Sequence, residues 1–329
     1  MKKFITTLML LAAMMVCGAT QAQTLDTVQV GDGTLADNIV PFRNYYKNSW
    51  AEMHYTGHRV GRAGEITSIF YECGAASSYT CTDVRIYMGM APAEVVTEWT
   101  PLASLKMVYN HTNVTIGAAT GWQEFVLDSS YVYADTNQCL VIVVAKTASS
   151  YTSVLKWRYT SPPNTYSSMY RSSDTEDSYG QHPGPTNNSS SSGTYRESYT
   201  PNVRLVMADV DLSSYCFQPS NVTAADVQAN EATISWNPAE NTTGYEVVIG
   251  TTGFSLDTMT VLSVTDTFYT FTSLSPMTTY QYAVRSDCGS DSYSNWVYGT
   301  VTTPCATFTA NDLPYTQGFE GLATYGTNG

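Results

Sequence analysis

Charge is scarce in this chain. Asp, Glu, Lys and Arg make up only 13% of its 329 residues, and they are lopsided: 15 basic against 28 acidic, a formal net charge of −13. Such a surface repels phosphate backbones and anionic headgroups, so neither nucleic acid nor an anionic membrane is an expected partner. Long apolar runs are also missing. Beyond the N-terminal leader no stretch approaches the ~20 residues of a membrane helix, so no transmembrane segment is expected after the leader is removed. No helical i, i+3, i+4 pattern lasts beyond a turn or two. The chemical vocabulary is short as well. There are four histidines, and no Gly-x-Ser-x-Gly elbow, His-Glu-x-x-His pair, phosphate loop or dinucleotide fingerprint. No catalytic residue and no enzyme activity are expected from these residues.

What is present begins with the leader. Lys2 and Lys3 precede an apolar stretch, Phe4 to Val16, and Thr20-Gln21-Ala22 supplies small residues for cleavage. Residues 1–22 read as a bacterial export signal cut after Ala22. Met14-Met15-Val16, before Cys17, lacks the small residue of a lipoprotein site. Of seven cysteines, Cys17 leaves with the leader, and an even number in an exported chain points to disulfides. Cys73 and Cys81 flank a turn-like loop between two strand-like runs, which favours a local bridge. Cys139, inside Gln138-Cys139-Leu140-Val141-Ile142-Val143-Val144, is expected to act as a small buried hydrophobe.

Residues 23–210 hold many short strand-like runs: 66–73, 83–90, 105–109, 122–127, 139–145, 155–159 and 203–207. Gly61, Gly64, Pro92, Pro101, Gly117, Gly121, Pro162 and Pro163 punctuate them. That pattern predicts an all-β fold, a jelly-roll-like β-sandwich. The stretch 161–199 is rich in Ser, Tyr, Pro and Asn and reads as a long surface loop with one strand near Tyr166–Arg171. In 122–127 the alternation is mixed, and Trp122 is expected in the core.

In residues 216–304, Ile234 and Trp236 alternate in one run and Tyr245, Val247 and Ile249 in the next. Leu274-Ser275-Pro276-Met277-Thr278-Thr279-Tyr280 then places a tyrosine at a strand corner. This stretch resembles a fibronectin type III sandwich, in which such a tyrosine bonds back to the upstream backbone. In that frame Cys216 opens the first strand and Cys288 closes strand F at the same pole, so a Cys216–Cys288 bridge is expected, with Cys305 at the opposite pole. The resemblance implies a spacer or protein-contact module.

Two further resemblances concern the flanks. Tyr45-Tyr46, Ala63-Gly64-Glu65-Ile66-Thr67-Ser68-Ile69, Val84-Arg85-Ile86-Tyr87-Met88-Gly89, Gly121-Trp122 and Tyr199-Thr200-Pro201-Asn202-Val203-Arg204-Leu205 resemble an N-terminal sandwich module of Bacteroidetes surface proteins. Leu313-Pro314-Tyr315-Thr316-Gln317-Gly318-Phe319-Glu320-Gly321 resembles the opening strand of their MAM-like or cleaved-adhesin modules. Residues 305–329 are accordingly expected to be a linker and the start of a further β-module, as in a fragment of a longer protein. Both resemblances imply location and architecture, not a reaction.

Candidate sites follow from the aromatics. Sugars lay C–H faces on flat rings and hydrogen-bond at their edges. Trp157, Tyr159, Tyr166, Tyr170, Tyr179 and Tyr195 fall in or beside the long loop and are the candidate ligand-binding residues, with Trp50, Tyr55 and Trp99 as further aromatic candidates. Gly31-Asp32-Gly33 and Asp174-Thr175-Glu176-Asp177 carry enough oxygen for a structural calcium but lack the alternation of a dedicated loop; otherwise no metal or cofactor is expected. His54 and His58 are expected at the surface. The reading is a secreted or cell-surface, non-enzymatic adhesion protein recognising a glycan or an extracellular protein surface through the first sandwich. The alternatives are the non-catalytic front of a secreted protease or glycoside hydrolase, or a structural surface component.

Overall fold

The computed structural model describes residues 25–306 except 93–95, 97, 162–165, 176–193, 253, 255 and 257–258. The leader, Tyr179, His182 and residues 313–321 lie outside the described residues.

Among the described residues, thirteen strands form the first body: β1 (Leu25–Val30), β2 (Leu35–Asp37), β3 (Asn48–Tyr55), β4 (Gly64–Ala75), β5 (Tyr79–Ala91), β6 (Lys106–Ile116), β7 (Gly121–Tyr133), β8 (Cys139–Thr147), β9 (Lys156–Thr160), β10 (Ser168–Ser173), β11 (Thr194–Glu197), β12 (Thr200–Pro201) and β13 (Val203–Ala208). One short helix, α1 (Gly57–Val60), follows β3. The strands make two antiparallel sheets. One runs β1-β13-β4-β9-β12, with β2 added on β9 and β7 on β4; the other runs β11-β10-β3-β8-β5-β6. Both sheets feed one core, with Phe42 at its centre, 5.3 Å from the Trp157 ring, 5.6 Å from Phe125 and 6.3 Å from Tyr71. The result is a β-sandwich with more strands than the eight of a simple jelly roll.

β8 explains the apolar run that includes Cys139. Leu140, Ile142 and Val144 face the main core, while Val141, Val143 and Ala145 face a second cluster containing Trp50, Trp99, Val96 and Met169. A strand buried on both faces reads as a continuous hydrophobic run. The second cluster exists because the segment between β5 and β6 folds back over the outside of the sheet. Its anchor is polar. Glu52, on β3, is fully buried and accepts hydrogen bonds from the Thr100 hydroxyl (2.7 Å) and the Thr100 N–H (3.1 Å), and His54 Nε2 lies 2.8 Å from the same carboxylate. His54 is therefore buried rather than at the surface, while His58 on α1 is exposed. Trp50, Tyr55 and Trp99 are likewise buried.

Two other expectations need correction here. Trp122 sits on the outward face of β7, half-buried, with the Arg204 guanidinium 4.1 Å from its ring; Phe125, on the opposite face, takes the core position. Cys73 and Cys81 are both buried free thiols. The loop between them is a crossover from one sheet to the other, so they face the same core from opposing sheets. They are small buried hydrophobes of that core rather than the two ends of a hairpin bridge.

The second body has seven strands: β14 (Ser220–Ala225), β15 (Glu231–Asn237), β16 (Gly244–Thr251), β17 (Leu262–Val264), β18 (Phe268–Thr272), β19 (Thr279–Asp287) and β20 (Val297–Thr302). They split into a β14-β15-β18 sheet and a β17-β16-β19-β20 sheet. Ala232, Ile234 and Trp236 alternate inward from one sheet against Tyr245, Val247, Tyr282 and Val284 from the other. The Trp236 and Tyr245 rings meet edge to face at 5.3 Å, a geometry that the ring quadrupoles favour. At the corner, the Ser275 N–H donates to the Tyr280 hydroxyl at 2.8 Å. Cys216 and Cys288 form a disulfide spanning 72 residues, and Cys305 is exposed and free.

A Cys216→Ser/Cys288→Ser variant is expected to lose about 2–4 kcal/mol, because the bridge restricts the unfolded chain across a long loop. Urea unfolding should show an earlier transition of the second sandwich alone. An unchanged transition, or an equal shift in both bodies, would contradict this account.

Candidate binding surface

The structure separates the five described candidate aromatics into different environments. Trp157 points inward from β9 and is fully buried against Phe42, so it supports the sandwich and offers no face to a ligand. Tyr170 is also buried, because β10 lies inside its sheet, between β3 and β11. Tyr159 is half-buried and stacks on Tyr199 with centroids 4.1 Å apart. Tyr166 and Tyr195 are exposed, at 50% and 44%. Tyr195 stacks on Tyr170 at 5.3 Å, and the Arg196 guanidinium lies 5.9 Å from the Tyr166 ring. Tyr179 lies outside the described residues. The loop is thus partly strand: β10 and β11 pair antiparallel across 168–171 and 194–197.

The charges around these rings are held close together. Glu197, on β11, has its carboxyl pushed up by burial and then by the negative charge of Asp37, while Arg43 pulls it back down. Arg43 hydrogen-bonds Asn38 Oδ1 at 3.0 Å and lies 5.3 Å from the Tyr170 ring. Arg43, these carboxylates and the Tyr170–Tyr195 pair therefore share one face of the sheet, while Tyr166 and Arg196 lie on the other.

Lys146 is the functional-looking residue that the pattern of β8 does not announce. It is fully buried at the end of the strand. Its ammonium donates to the Tyr46 carbonyl, to the Lys47 carbonyl at 3.3 Å and to the Tyr79 hydroxyl at 3.0 Å. Burial pulls its pKa down to about 8, with Cys81 and Asp174 opposing that shift. The Cys81 thiol is in turn pushed up to about 12 by burial, which makes it a poor nucleophile. A buried ammonium is expensive unless its donors are used. Here it hydrogen-bonds the loop that carries Tyr45 and Tyr46. The only sequence signal is a lysine directly following an apolar run.

In the candidate calcium loops several groups are bonded within the protein. The N–H groups of Asp32 and Gly33 both donate to Thr160 Oγ1, and the Gly33 carbonyl accepts from Asn202 Nδ2. Asp174 Oδ1 accepts the Lys47 N–H, and Glu176 and Asp177 lie outside the described residues. Among the described residues no group of three His, Cys, Asp or Glu side chains is placed to hold a metal, and no helix is long and apolar enough to cross a membrane.

Comparison with known proteins places the second body. Residues 217–300 match the family model for the fibronectin type III domain. Among solved structures, the fibronectin type III domain of the human collagen alpha-1(XX) chain is 20% identical, over 30% of this chain and 94% of that one, with a TM-score of 0.27. A redesigned β-sandwich protein is 26% identical, over 28% of this chain and 95% of the other, with a TM-score of 0.26. No curated protein matches the chain. The second body is thus a fibronectin type III domain, a kind of module that generally binds or spaces rather than catalyses.

Two expectations follow. Trp157→Ala should destabilise the first sandwich by about 3–5 kcal/mol, as for other buried tryptophans; a smaller loss in chemical denaturation would mean the ring is not core. For Lys146, the unfolded chain holds the proton more tightly than the folded protein does. Between about pH 8 and the ordinary lysine value of 10.5, stability therefore rises with pH. Lys146→Met lacks that term, so the wild type should gain on the variant by about 1.4 kcal/mol for each pH unit crossed. Parallel stability curves would overturn the assignment.

Proposed function

We propose that the protein is a secreted or cell-surface binding protein that recognises a glycan through its first sandwich, with the fibronectin type III domain as spacer. The observation that carries this reading is the pair of exposed rings at the β10–β11 edge: Tyr195, stacked on Tyr170 on the face that also carries Glu197, and Tyr166, beside Arg196 on the opposite face. Exposed rings with polar groups at their edges are the complement of a sugar. The export-type leader and the extracellular habit of fibronectin type III domains support the location, in keeping with the resemblance to Bacteroidetes surface modules.

The test is a glycan array probed with the full chain. Retention on a defined glycan class, reduced in a Tyr166→Ala/Tyr195→Ala variant that melts like the wild type, is the expected result. Silence across a broad array would remove the sugar reading, and a protein surface would become the partner to seek.

A further inference from the structure

Beside the predicted loop runs a second set of rings. The Tyr151 and Tyr45 centroids are 5.8 Å apart, and Tyr45 and Tyr46 are 5.6 Å apart. The Arg43 guanidinium lies 5.7 Å from Tyr46 and 5.3 Å from Tyr170, which stacks on Tyr195. These contacts link Tyr151 to Tyr195 through the buried Tyr170 ring. Both ends are open: Tyr151 is 61% exposed, Tyr45 48% and Tyr195 44%.

We infer that Tyr45 and Tyr151 form the stacking platform for a neutral pyranose chain. The inference rests on the glycan-binding reading above and assigns it a site and a sugar class. Three observations carry it.

The first is fixation. Loop tyrosines usually move, but these two loops are fastened to a common support. Lys146 holds the Tyr46 and Lys47 carbonyls from beneath. The Thr152 N–H donates to the Asn44 carbonyl at 2.8 Å, which joins the two loops directly. The Tyr79 hydroxyl, itself bonded to Lys146, donates to the Ser150 carbonyl at 2.6 Å. The Lys47 N–H donates to Asp174 at 2.9 Å. Rings held in place before the ligand arrives lose little freedom on binding.

The second is the chemistry of the rim. Tyr151 stands in Ser149-Ser150-Tyr151-Thr152-Ser153, with Ser149, Ser150 and Ser153 exposed. A flat apolar face ringed by hydroxyls fits a sugar's C–H face and hydroxyl edge.

The third is charge. Arg43 shares its field with Glu197 and Asp37, and Lys146 shares its field with Asp174. With the cations answered locally in an acidic chain, the platform favours a neutral sugar over a uronate or sulfated one.

The experiment is affinity gel electrophoresis of the full chain in galactomannan, mixed-linkage β-glucan, xyloglucan, polygalacturonate and heparin. The expected result is retardation by a neutral polysaccharide. Affinity should fall on the order of tenfold in Tyr45→Ala/Tyr151→Ala, from two lost ring contacts, and persist in Tyr45→Phe/Tyr151→Phe, which keeps the faces. Retardation of the alanine variant equal to wild type would overturn this site while leaving glycan binding in place. Retardation by polygalacturonate or heparin alone would overturn the neutral class. Retardation by no probe would remove the underlying reading and this inference with it. Should the double alanine variant lose its native melting transition, Tyr151→Ala alone decides, since most of that ring already faces solvent.

Discussion

The first sandwich depends on one constraint: β8 has no wet side. Its inward residues need the opposing sheet, and its outward residues need the segment that folds back over them. That outer cover is held by Glu52, a carboxylate that could not stay buried without the hydrogen bonds it accepts from Thr100 and its contact with His54. Sheet, cover and anchor are therefore one cooperative arrangement. Loss of the anchor would expose Trp50, Trp99 and the outer face of β8 together. The same strand ends in Lys146, so the element that organises the core also holds the loop bearing Tyr45 and Tyr46.

Much of the all-β architecture was legible because period-2 alternation survives wherever one sheet face is wet and the other dry. β15 shows it plainly, with Ala232, Ile234 and Trp236 inward, and the run over 66–73 falls within β4. β3 was illegible for a physical reason. Glu52 and His54 read as polar outward positions, yet both are buried under the cover segment, so polarity no longer marks exposure. Trp122 failed in the opposite sense. A tryptophan suggests the core, but here an arginine lies over its ring and the core place goes to Phe125. Cys73 and Cys81 look like a hairpin pair because sequence gives the loop length, not the fact that the chain changes sheets there.

The candidate surface was legible only in composition. A tyrosine-rich stretch near 161–199 could be read as sugar-facing, but which rings face solvent depends on sheet pairing. Trp157 and Tyr170 were lost to the interior, while Tyr166 and Tyr195 remained outside. The Tyr45–Tyr46 pair is far from Tyr151 in sequence, and their meeting is set by Thr152, Tyr79 and Lys146, none of which belongs to a recognisable motif. Tertiary hydrogen bonds between loops leave no periodicity to read.

The disulfide gives the fibronectin type III domain a mechanical character. Cys216 precedes its first strand and Cys288 follows β19, so the bond short-circuits almost the whole module. A pull applied at the two ends of the domain passes through the sulfur atoms and does not draw on the chain between them. Only the tail from β20 onward can peel away. Under flow or traction the domain would therefore act as a link of nearly fixed length rather than as a spring that yields by unravelling. Inside the module, the span from Cys216 to Cys288 keeps its length.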